Sequence, residues 1–214
     1  MKIIFNRVIK ILIMTDFILV SGLGFVMPIF AIFIMDRIVG GNLEVIGYAA
    51  AIYWIVESLV ITPFGACLDR NYGEKDDLWF ISIGSLLASF AVFGYIFAFL
   101  PWHIYALQAI YAVGMGMNIP GYTAIFTRHI DKGREAFDWS VRSSLVGFGT
   151  GMAGAFGGII SYKFGFNILF SGVGVIVLIS ALLPMIFLRK HLSSQNMKMP
   201  NVPLVKDIQP PAPK

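Results

Sequence analysis

Charge is what this 214-residue chain has least of: Asp, Glu, Lys and Arg together make up 13 % of it. A soluble domain carries about a quarter, so the shortage excludes a water-soluble enzyme or binding module. A single cysteine, Cys67, excludes an internal disulfide framework and any multi-cysteine metal site. Histidines number three, and no His cluster, Ser–His pair or carboxylate dyad stands on the polar loops, so no enzyme, metal or cofactor is expected. No soluble domain interrupts the apolar stretches, and no small-residue cleavage pattern follows the first of them. The net charge of +4 follows from where the basic residues sit along the chain and is not a nucleic-acid signal.

What is present is apolar length. Hydrophobic residues make up 57 % of the chain, and the mean hydropathy is +0.79. Six runs stand out: Ile11–Met35, Ile46–Cys67, Leu78–Leu100, Ile104–Thr127, Trp139–Ile160 and Phe164–Leu188, each 22 to 25 residues long. At ~1.5 Å per helical residue each crosses a hydrocarbon core of ~30 Å. Runs this long, without period-two alternation, favour helices over a barrel, because each helix satisfies its own backbone. The expected fold class is an all-α membrane protein of six transmembrane helices. Residues 1–10 form a short N-terminal segment, and residues 189–214, polar and rich in proline, a disordered tail. Trp79, Trp102 and Trp139 fall at span ends, where indoles settle at the interface.

Fourteen of the sixteen Lys and Arg residues lie on one side of this topology, leaving only Arg37 and Lys163 on the other. The positive-inside rule then places both termini in the cytoplasm, as six spans also require. The expected location is the cell (plasma or inner) membrane.

The second span and its loop carry Tyr53, Glu57, Gly65, Asp69, Arg70, Gly73 and Lys75. Gly65 lets another helix approach near the membrane face, Asp69 and Arg70 stand at a helix end, and Gly73 allows the reversal into the third span. Glu57 lies mid-span, where an ionised group costs ~3 kcal/mol or more. Low dielectric favours the protonated carboxyl, which suits reversible protonation; a neutral carboxyl bonded to a neighbouring helix fits equally. Asp16 reads either as a second intramembrane acid or as an interfacial, hydrated carboxylate. In the fourth span, Gln108 and Asn118 are the polar side chains, and Pro120 loosens the helix beside Asn118 so that it can line a cavity. Gly147 with Gly151, and Gly154 with Gly158, are small-x-x-x-small pairs for close helix packing. Arg142, one turn into that fifth span, is expected to snorkel to the cytoplasmic face.

The spacing from Tyr53 through Glu57 and Gly65 to Asp69 and Arg70 resembles the Y-x3-Q-x7-G-x3-D-R-x-G-R-R of the major facilitator superfamily. Glu57 stands where Gln is usual, one extra residue precedes Gly73, and Glu74 and Lys75 replace the basic pair. Gly22-Leu-Gly24-Phe-Val-Met-Pro28 is similar to the G-x-G-x-x-M-P of that family's drug and tetracycline exporters. Between Leu107 and Ile125 there is no Arg, although the family frequently has one there. The resemblance covers the family's amino-terminal six helices and implies one bundle of its two-bundle fold. It also implies secondary transport of a small solute, proton-coupled export by alternating access, with Asp69 latching the two bundles on the cytoplasmic side. The expected partners are the lipid bilayer, a small-molecule solute, and a second bundle supplied by a parallel homodimer or another six-helix half. The competing expectation is a non-transporting six-helix protein, a remnant or a regulatory partner of a full-length transporter.

Overall fold

The computed structural model describes residues 6–70, 73–130 and 132–188; the 189–214 tail expected to be disordered lies outside them. The described residues form seven α-helices: α1 (Arg7–Gly24), α2 (Phe30–Arg37), α3 (Leu43–Arg70), α4 (Glu74–Gly94), α5 (Pro101–His129), α6 (Glu135–Phe164) and α7 (Phe166–Phe187), with a 3₁₀ turn at Tyr95–Phe97. Among the described residues there is no strand. Four helices, α3, α4 with its 3₁₀ turn, α6 and α7, are long and apolar enough to cross a membrane by length and composition.

The first expected span is not one helix. Between α1 and α2 the chain turns through 25–29, with Phe25 N–H bonded to Gly22 O, Val26 N–H to Leu23 O and Ile29 N–H to Val26 O. Pro28 has no N–H to give Gly24 O, so the α-helical ladder lapses into these tighter bonds. Residues 25–29 bend beside α6, where Gly157 leaves room for the Phe25 carbonyl and Gly24 for the Thr150 backbone. Pro120 has no such effect, for α5 continues unbroken from Pro101 to His129.

Neighbouring helices define the bundle: α3 packs on α5, α5 on α4, α4 on α7, α7 on α1, and α1 on α6. Helix α4 crosses α5 closely, where Gly84 and Gly114 set backbone against backbone. Asn118 Nδ2 donates across this contact to Ile81 O (3.2 Å) and Ser85 Oγ (2.9 Å). Ser89 Oγ likewise donates to Gly174 O at 2.9 Å, tying α4 to α7.

Two apolar cores fill the interior. One gathers Phe33, Tyr95, Phe170 and Val177 around the α1–α2 bend. The other gathers Ile9, Leu12, Ile81, Ile125 and Phe126 at the opposite end. Helices α3 and α6 contribute least, with 17 % of their apolar stretches buried against 50 % for α4 and 44 % for α7.

Candidate functional site

Beside the α1–α2 bend lies a cavity of about 330 Å³, walled by residues of α1, the bend, α2, α3, α4, the 3₁₀ turn and α5. Five of its walls are aromatic: Phe30, Tyr53, Trp54, Tyr95 and Tyr111. The bend opens this space, because a straight first span would carry Met27 and Phe30 along one helix axis. Tyr53 and Tyr111 stack with ring centroids 5.1 Å apart, and Phe30 packs on Tyr95 at 5.1 Å.

Glu57 lies one turn along α3 from Tyr53, whose hydroxyl donates to Glu57 Oε1 at 3.1 Å. The i, i+4 spacing on a helix places the two on one face. Glu57 is 6 % exposed, and no Lys, Arg or His of the described residues forms an ion pair with it. It therefore sits behind the aromatic wall as a carboxyl held by a phenol. Gln108 faces the cavity from α5, 8 % exposed, and its amide carbonyl has no hydrogen-bond donor. Asn118, by contrast, is spent on the α4 crossing and does not line the cavity.

Asp16 is not an interfacial, hydrated carboxylate. It is 5 % exposed, and Arg142 Nε donates to its Oδ2 at 2.8 Å. The guanidinium also lies over the rings of Tyr122 (5.1 Å) and Trp139 (5.7 Å), a cation–π arrangement. Arg142 thus turns inward to join α6 to α1 instead of snorkelling outward. The pair is remote from the walls of the aromatic cavity, none of which belongs to it.

At the charged end, Glu74 and Asp77 open α4 while Arg128 and His129 close α5. Arg128 pairs with Asp77, and His129 Nε2 lies 2.8 Å from Glu74 Oε1. Acids at a helix N-terminus and bases at a C-terminus also complement the two helix dipoles. Counting only Lys and Arg along the topology leaves out the acids that face Arg128 and His129, and with them the link. Their side chains are Glu and Asp at i and i+3 opposite adjacent Arg and His, and that pattern was visible.

Asp69 and Arg70 do end a helix, in the last turn of α3, and both are exposed, as is Lys75 in the first turn of α4. Asp69 forms no ion pair among the described residues; with Gly65, Pro120, Thr123, Thr127 and Arg128 it borders a second cavity, of about 370 Å³, between α3 and α5. Gly65 is not a close-approach glycine, since a Cβ there would sit at an ordinary 3.8 Å from Pro120. Gly73 has φ −112 and ψ 113, extended backbone open to any residue, so its lack of a side chain is not what turns the chain. The sequence model of the Major Facilitator Superfamily matches residues 12–206. The chain belongs to that superfamily.

Membership makes it a membrane transporter protein in general terms, of a family whose members move solutes and do not catalyse reactions. No curated protein matches the chain. Within the superfamily chain, α6 packs differently from the expected pairs. Gly149, Ala153 and Gly157 are its buried small residues, with Gly149 against Phe17 and Ser21 of α1. A Cβ at Gly147 or Gly151 would face open space, one at Gly154 would lie an ordinary 3.6 Å from Pro28, and one at Gly158 4.0 Å from Ile29. Close packing by glycine is real, but it uses the register between the two nominated pairs.

Proposed function

We propose that this chain is a secondary active transporter that exports a small solute by proton-coupled alternating access, with the aromatic cavity as solute site and Glu57 as proton-coupling group. The observation that carries this reading is the cavity itself, drug-sized, bounded by a bent span and backed by an enclosed carboxyl without a basic partner. A bend of this kind lets part of a span move separately from the rest, as alternating access needs. Six spans follow if α1 with α2, and α5, are counted with the four apolar helices. The lopsided Lys and Arg distribution then supports cytoplasmic termini in a plasma or inner membrane. Access alternates when two bundles rock about a shared site. The sparsely buried faces of α3 and α6 suit contact with a second bundle, supplied by another copy or another six-helix half.

The test is solute flux in proteoliposomes, with and without an imposed pH gradient, comparing the native chain with Glu57→Gln. Native flux should accelerate at least several-fold with the gradient. The Gln variant should retain downhill flux and lose the acceleration. Acceleration that survives the substitution removes Glu57 from coupling. Asp69, exposed and without an ion pair among the described residues, favours a second reading, a non-transporting partner or remnant. Absence of flux both alone and with a co-reconstituted second bundle would establish it.

A further inference from the structure

The side-chain carbonyl oxygen of Gln108 is enclosed without a hydrogen-bond donor among the described residues. An amide so placed leaves ~1–3 kcal/mol of hydrogen-bonding potential unused. The other polar groups of the cavity differ in kind. The hydroxyls of Tyr95 and Tyr111 can donate or accept as they rotate, and that of Tyr53 already donates to Glu57. A carbonyl only accepts. Its surroundings also favour positive charge, since aromatic faces attract cations and the carboxyl behind Tyr53 forms no ion pair with a base among the described residues.

We propose that the cavity selects protonated amines over quaternary ammonium ions, with Gln108 as the specificity-determining residue that accepts the ammonium N–H. The inference rests on the transporter reading for the identity of the site, and its chemistry is separately testable. The aromatic walls supply cation–π attraction to either ion. Only the amine carries a hydrogen for the Gln108 carbonyl, and only the quaternary ion brings a methyl group against it. A neutral hydrocarbon of the same shape gains from neither feature.

The test is equilibrium binding by calorimetry to the full chain in lipid nanodiscs, with three probes of one shape. These are N-methyldibenzylamine, protonated at neutral pH, dimethyldibenzylammonium and neutral 1,3-diphenylpropane. The native chain should bind the protonated amine about tenfold more tightly than the quaternary ion, the worth of one hydrogen bond to a charged donor. Gln108→Met, close in volume, should bring the two cations to equal affinity while diphenylpropane binds as before, which also reports that the variant is folded. Gln108→Asn, a second variant, withdraws the amide by one methylene and should lose most of the preference. Equal binding of the two cations by the native chain, a preference that survives both variants, or no cation binding at all overturns the proposal. Amine-selective binding without flux would sink the transport reading and leave the site. Flux without the preference would do the reverse.

Discussion

Asp16 and Arg142 are 126 residues apart in the chain and meet inside it, at the contact of α1 with α6. A buried pair of this kind contributes modestly while intact, because both ions have been taken out of water. Removing one partner is what costs, since the other is left charged in apolar surroundings. Arg142→Met should therefore destabilise the protein by ~3–5 kcal/mol, because the carboxylate it leaves without a partner, Asp16, is 5 % exposed. The double variant Asp16→Asn, Arg142→Met should recover most of that loss. Thermal unfolding in detergent gives the measure, and additive losses from the two single changes would mean the groups do not depend on each other. Glu57 and Tyr53 could be read from one helix, because four residues bring side chains to one face. Asp16 could not, because its partner is set by which helix lies beside α1, and a lone acid near a span end carries no mark of its neighbour.

Helix existence and helical class follow from the length of the apolar runs, while helix contacts depend on which face each glycine takes. In α6 the glycines at 147, 149, 151, 154, 157 and 158 are dense enough to clear several faces, so spacing alone does not choose among them. The side chains of Phe17 and Ser21 on α1 and the backbone carbonyl of Phe25 in the bend make the choice, by approaching Gly149 and Gly157. The same ambiguity hid the α4–α5 crossing, whose glycines, Gly84 on one span and Gly114 and Gly121 on the other, form no spaced pair across the contact. A Cβ at Gly114 would lie 2.6 Å from the Gly84 carbonyl oxygen and 3.0 Å from Ala88 N, and backbone on both sides has little room to give. Gly114→Ala should cost ~1–3 kcal/mol by overpacking. Gly147→Ala, facing open space, should be neutral or gain up to ~1 kcal/mol from helix propensity. Unfolding midpoints of the two variants check this, and a loss at Gly147 that matches the loss at Gly114 would place a packed neighbour on the open face of α6.

Viewed as a whole, the bundle runs α3, α5, α4, α7, α1, α6 from contact to contact, which leaves α3 and α6 as its two sparsely buried margins. Trp54, Leu59, Phe148 and Phe156 are exposed there. Lipid could cover these faces, so apolar exposure alone does not call for protein. A second copy in the same orientation, related by a two-fold axis along the membrane normal, makes a sharper demand. Its contact must be isologous, so α3 of one copy meeting α6 of the other implies the reciprocal contact as well. Cys67, exposed in the last turn of α3, and Ser140, exposed near the start of α6, lie within about two helical turns of the same membrane face. In native membranes, the Ser140→Cys variant that keeps Cys67 should cross-link into covalent dimers with a short bifunctional maleimide. The unaltered chain, and Ser140→Cys combined with Cys67→Ser, should not, because each then offers only like-to-like pairs across the axis. Dimers from Ser140→Cys without Cys67 would place α6 against α6 and rule out the α3–α6 arrangement. Monomers throughout would rule out a second copy and leave either lipid or a different chain as the neighbour of both helices.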